Sequence, residues 1–290
     1  MAIFNETYIS NHYDNFKYIG ESVIDSIFGY DTSDVEISAE QIRELCETFN
    51  PDGYYSNLSY INEAVSASAP LSKIGIKGAD GKINSAGKDI ANTIKKEGIT
   101  SSSRKKIHNR IGLLFDDLCD SISKGVPVPD SAGDNKPNII KSLKLFIWVL
   151  TINTLTNTVL VLLVGPKIGL FLTAVIVAPL VEEASKSISV KGKFEKEYYV
   201  IFNAFEASMY ISSMTKMGYS LGKAVAIRIA PALMHGVNTI IHKIFDSEKV
   251  RRKYDIGDDE DARNKATTAG YIITVLVHST WNFVGSITIL

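Results

Sequence analysis

The second half of the chain sets acids, imidazoles and an arginine into otherwise apolar stretches. Glu182 and Glu183 lie in APLVEEASKSISV, Glu206 in FNAFEASMY, Arg228 and His235 in IRIAPALMHG, His242 seven residues on in the same stretch and His278 in VHSTWNF. A charge at the middle of a bilayer-spanning helix costs roughly 2.5–3.5 kcal/mol on insertion scales. Several such residues in one chain therefore demand a compensating reason, and mutual pairing around a shared site supplies one. Carboxylates and imidazoles gathered at one site can take and return protons and so jointly handle a water molecule. Carboxylate and imidazole also suit zinc, with one position left open for water.

Spacing aims these groups. Glu182 and Lys186 are four apart, as are Phe202 and Glu206, Glu206 and Tyr210, and His278 and Asn282, so each pair shares a helix face. Arg228, His235 and His242 repeat at seven and form another stripe. Counted from the cytoplasmic end of its span, Glu183 is about seven residues in and Glu206, His235 and His278 about eight or nine, which at about 1.5 Å per residue puts all four roughly 10–13 Å deep. A common depth lets them meet. Pro179, just before the glutamate pair, lacks an N–H; it frees the carbonyl four residues earlier and favours a kink, which a membrane helix tolerates beside a polar cavity.

Each residue alone has a plainer reading. Glu182, Glu183 and Lys186 suit a helix end reaching headgroup water, and His235 suits an interhelical hydrogen bond. Arg228 reads as a counter-charge for the carboxylates, Tyr210 as a structural hydrogen-bonder, and Trp148 and Trp281 as packing or interfacial residues. His242, beside Lys243, falls at the interface and outside the site. The shared depth favours one site over these separate roles.

The elements that must position the site follow from hydropathy. The expected class is mainly α: a polytopic transmembrane helical bundle of about five spans, at about 144–164, 167–190, 198–215, 220–243 and 269–290, preceded by a soluble, mostly helical N-terminal region. The boundary is set at 137, giving a cytoplasmic region over 1–137 and a membrane-embedded domain over 138–290, because VPVPDSAGDNKP (126–137) is broken by Pro and Gly. Within the first part, Ser38 and Gln41 form a capping box opening a short helix. Ile107, Ile111, Leu114, Leu118 and Ile122 mark a second helix, while GIKGADGKINSAGKDI reads as a loop or small hairpin. Lys and Arg crowd the connections on the N-terminal side of the spans, around Lys191–Lys196 and Lys243–Lys265, so the N-terminus is expected in the cytoplasm and the C-terminus on the opposite side. The formal net charge of -1 gives no argument for nucleic acid. Cys46 and Cys119, the only cysteines, have no metal-type spacing. The start of the chain lacks the basic flank and apolar core of a cleaved signal peptide, so the first membrane helix is expected to direct insertion.

The order EExxK (Glu182, Glu183, Lys186), then Phe202, Glu206 and Tyr210 at intervals of four, then Arg228 ahead of the PALMHG histidine (His235), then HSTWNF (His278, Asn282) resembles the PrsW family of intramembrane proteases, within the wider superfamily of CAAX-processing and bacteriocin-processing membrane proteases. The resemblance covers about 165–290 and is silent on the N-terminal region. It implies an intramembrane endopeptidase, metal-dependent, that cuts a membrane-associated protein with a glutamate-activated water. Glu183 or its neighbour Glu182 would be the base. Glu206, His235 and His278 would hold a metal ion, zinc above all, or bind the water directly, and Asn282 would donate to the oxyanion. The partners so implied are the lipid bilayer and a membrane-associated protein substrate, with the N-terminal region recruiting or regulating. Two rival classes remain: a catalytically inactive PrsW-like membrane binding or assembly protein, and an ion or proton carrier.

Overall fold

A computed structural model of the chain describes residues 36–49, 78–125, 136–257 and 259–289. Among the described residues the protein is mainly helical and has no strand, only an isolated antiparallel bridge between Ile37 and Ile99. The helices are α1 (Ala39–Phe49), α2 (Ala79–Glu97), α3 (Ser101–Gly125), α4 (Lys136–Val164), α5 (Pro166–Leu172), a π-helical segment (Thr173–Val177), α6 (Ala178–Lys191), α7 (Glu195–Lys216), α8 (Leu221–Asp246), α9 (Glu248–Lys253) and α10 (Glu260–Ile289). Three stretches, Lys136–Val164, Ile168–Lys191 and Leu221–Asp246, are long and apolar enough to cross a membrane. The expected linker lies outside the described residues, apart from its last two, which open α4.

The capping box forms as its sequence dictates. The Gln41 N–H donates to Ser38 Oγ at 3.2 Å and the Ser38 N–H to Gln41 Oε1 at 2.9 Å, which satisfies two of the donors a helix start leaves orphaned. The segment read as a loop, whose first three residues lie outside the described ones, is helix α2 from Ala79 on, a correction with a clear cause. Ala79, Ile83, Ala86, Ile90 and Ile94 are all buried on one stripe, and tertiary burial outweighs the roughly 1 kcal/mol that each interior glycine costs. Gly87 is needed there: a Cβ in its place would lie 2.7 Å from Thr158 Cγ2 on α4.

That close approach makes α4 a two-sided wall. On one side Ile147 and Leu155 share a core with Ile83, Ala86, Ile90 and Ile94 of α2 and Leu114 and Leu118 of α3, with Val159 and Leu163 alongside. On the other, Leu145, Phe146 and Val149 pack on Phe194, Tyr198 and Phe202, and the Phe146 ring meets Phe202 edge-on at 5.8 Å. Trp148 stacks on Phe115 of α3 at 6.3 Å, a packing role. The N-terminal helices are thus continuous in packing with the first long apolar helix.

Helix α6 is the centre of the bundle and touches α4, α7, α8 and α10. This explains why Glu182 to Ser187 are buried without a break. It is entered through the π segment, where the Ala178 N–H bonds to Thr173 O, a step of five residues. In that register Pro179 stands opposite Ala174 O and has no N–H to offer. The orphaned carbonyl is the one five residues before the proline, where ordinary α geometry predicts four, and Asn282 of α10 donates its Nδ2–H to it at 2.7 Å.

Candidate functional site

Convergence on α6 brings the expected residues together. Glu183 and His278 meet at 2.8 Å, Glu206 and His235 at 3.0 Å, and the His235 and His278 rings lie 5.0 Å apart. Glu183, Lys186, His235 and His278 are buried, and the Glu206 side chain is 14% exposed, at the margin between α7 and α8.

The two adjacent glutamates occupy different environments. Glu183 is saturated: Oε1 accepts from Lys186 Nζ at 2.5 Å, His278 Nδ1 at 2.8 Å and Asn238 Nδ2 at 3.0 Å, while Oε2 takes His242 Nε2 at 3.2 Å. Glu182 has Asn153 Nδ2 at 3.4 Å from Oε1, and its buried Oε2 has no hydrogen-bond partner. His278 Nε2 is 3.7 Å from that free oxygen. Charge follows the same division. Lys186 pairs with Glu183 and Arg228 with Glu206, at 2.8 Å in the second case, so Glu182 is the carboxylate of the three left without a lysine or arginine within salt-bridge distance among the described residues.

Proton positions follow from what each group can do. Glu183 is ringed by donors, so the His278 Nδ1–H points to it, and Nε2 faces Glu182. A charged lysine has donors only, so Lys186, 2.8 Å from His235 Nδ1, takes that nitrogen's lone pair. The proton of His235 then sits on Nε2 and is donated to Glu206 Oε2, which also receives Arg228.

A metal can be tested against this arrangement. Ligand atoms of Glu182, His235 and His278 lie within 4.8 Å of one another, against about 3.3 Å between ligand atoms around tetrahedral zinc, and Glu182 Oε2 is a buried oxygen in want of a partner. His278 has the usual ligand pattern, with its far N–H held by a carboxylate. His235 does not, because Lys186 engages its Nδ1 and Glu206 its Nε2. The trio therefore does not fit the ion as protonated here. Glu206, expected among the ligands, is replaced in the trio by Glu182; its Oε2 is engaged by Arg228 and His235. Asn282, expected to face an oxyanion, has one amide N–H engaged by Ala174 O.

Other placements depart from expectation for physical reasons. His242 is buried and reaches both Glu183 and Thr274 Oγ1, the latter at 3.1 Å. Its position beside Lys243 misled, because α8 runs on to Asp246 and carries the histidine inward. Tyr210 supplies its ring to Arg228, 4.2 Å away, as a cation–π contact. Asn153, Asn238 and Thr274 were not foreseen. The spacing of His235, Asn238 and His242 at three and four is the signal that marks Asn238 as a member of the cluster face. Outside the cluster, Lys243 Nζ bonds Glu195 Oε1 at 2.8 Å and ties α7 to α8. Burial opposes the charged form of Glu195, but the Lys243 hydrogen bond and charge hold the carboxyl below its ordinary range.

No protein-family model, no curated protein and no solved structure matches the chain.

Proposed function

We propose that the protein is an intramembrane endopeptidase that hydrolyses a peptide bond of a membrane-associated protein with water activated by Glu182. The observation that carries the reading is the buried Glu182 Oε2, without a hydrogen-bond partner, facing His278 Nε2 at 3.7 Å. One water about 2.8 Å from each atom would donate a hydrogen to both. Glu182 takes the proton as water attacks the scissile carbonyl, and returns it to the departing amine, so the carboxylate is regenerated. Glu183, bound on both oxygens, orients His278 rather than acting as the base. The Asn282 amide is the candidate donor to the oxyanion. Order and spacing of the motifs support a place in the PrsW family.

Apolar side chains support the bilayer as the setting. Ile229, Leu233, Val237, Ile240 and Ile244 of α8 and Leu276, Val277 and Val284 of α10 are exposed, so in this reading the long helices form a polytopic bundle of about five spans with the Lys- and Arg-rich turns in the cytoplasm. The charged outer face of α2 and α3 keeps lipid from one flank of α4.

The test needs no prior substrate. Protein N-termini are mapped by mass spectrometry in membranes of cells producing equal amounts of wild type, Glu182→Gln and His278→Ala. Wild type alone is expected to create new termini in membrane-associated proteins. Identical termini in all three would refute the reading and favour a binding or assembly role for the polar cluster.

A further inference from the structure

The α4 wall of the site carries two amides whose hydrogen-bonding capacity the protein leaves idle. Asn153 donates from Nδ2 to Glu182 Oε1 at 3.4 Å, while its own buried Oδ1 accepts nothing. Asn157, one turn farther along α4, is buried; its Oδ1 has no partner, and its side chain makes no hydrogen bond among the described residues. Both share a helix face with Phe146, which packs on Phe202 and Phe205 of α7, so they look into the bundle. Thr158, turned the other way, finds Asn84 of α2 at 3.2 Å. Helices α4 and α10 both pack on α6 and the π segment, and each brings one residue to Glu182 and an asparagine a turn beyond: Asn153 then Asn157, His278 then Asn282. An unpartnered amide inside an apolar bundle calls for an explanation.

Hydrolysis within a bilayer creates a demand for such groups. A carbonyl in a helix is bonded to the N–H four residues on, so water reaches it only where the segment unwinds, and the main-chain groups then freed find no water in lipid. A side-chain amide offers an acceptor and donors and can replace both lost bonds of one residue. The spacing agrees. Four residues along α4 span about 6 Å, and alternate residues of an extended chain repeat at about 6.4–6.8 Å. We infer that Asn153 and Asn157 are substrate-binding residues that hold the main chain of an unwound, extended segment beside Glu182: Asn157 pairs with the N–H and C=O of one substrate residue, and Asn153 Oδ1 accepts the N–H of the residue two closer to the scissile bond. This rests on the hydrolytic reading and adds what the site binds, an extended main chain gripped independently of its side chains.

Asn157→Leu, close to asparagine in shape, and Asn157→Ala decide it. Each full-length variant is compared with wild type for melting temperature in lipid nanodiscs and for the new protein termini formed in membranes of producing cells. Both should melt at or above wild type, because an apolar group replaces an amide without a partner. The amount of each wild-type terminus should nevertheless fall about tenfold or more, as two lost hydrogen bonds to bound substrate would give. Asn157→Gln, which keeps the amide, should retain more cleavage than either. Lower melting of both the leucine and alanine variants would make the amide structural, and undiminished termini from either folded variant would leave it to a resident water; each result overturns the inference alone. Wild-type membranes without new termini overturn the hydrolytic reading and this inference with it.

Discussion

The protein contains two sets of ion pairs that look alike in composition and differ in consequence. On the N-terminal helices, Lys82–Asp117, Lys106–Glu97 and Arg110–Asp89 are close pairs at 3.0, 2.7 and 2.9 Å between substantially exposed side chains. Around α6, Lys186–Glu183 and Arg228–Glu206 are as close, yet their side chains are buried or nearly so. Exposed pairs are screened by water and contribute little. Buried ones hold charges that removal of a partner would strand, at about 3–5 kcal/mol. Close contact therefore says little about importance until solvent is counted, and only the interior set can fix tautomers and leave one carboxylate oxygen free.

The largest effect expected from breaking this contrast is at Glu183. Alanine there removes the carboxylate that Lys186, Asn238, His242 and His278 share and strands the buried Lys186 charge, and should lower unfolding stability in detergent by about 3–5 kcal/mol. Next comes the packing between the two sets. Gly87→Leu drives a side chain into Thr158 and should cost about 1–3 kcal/mol, loosening α2 from α4 as read by increased hydrogen exchange along α2. Asn282→Ala unmasks Ala174 O at the π segment and should cost about 1 kcal/mol for the lost hydrogen bond of a half-buried acceptor; a fall in cleavage with unchanged melting would instead favour its oxyanion role. Smallest is Lys82→Ala, expected to change stability by less than about 1 kcal/mol and less still at high salt.

Much of the interior was legible in the sequence because polar residues in apolar helices are costly and their spacing is informative. The common depth of Glu183, Glu206, His235 and His278 follows from counting residues along regular helices, and they do converge. What counting cannot supply is rotation and partnership. Glu182 and Glu183 are neighbours on one helix, about 100° apart around its axis, and only the packing of α4, α8 and α10 shows which of them is saturated. His242 was misplaced because depth was judged from Lys243 while the helix continued to Asp246. Helix α2 was missed because its glycines read as turns, whereas one of them is the contact that seats it on α4. The π segment, one residue out of α register, sends the proline's missing N–H to Ala174, a detail no periodicity announces.

The central claim is that Glu182 holds the reactive oxygen and Glu183 the framework, and a side-by-side comparison of Glu182→Gln and Glu183→Gln tests it most directly, with melting temperature and newly formed protein termini measured on each. Glu182→Gln is expected to melt like wild type and form no termini, while Glu183→Gln is expected to melt markedly lower. A Glu182→Gln protein that still cuts, or a Glu183→Gln protein that is as stable as wild type yet inactive, would contradict it.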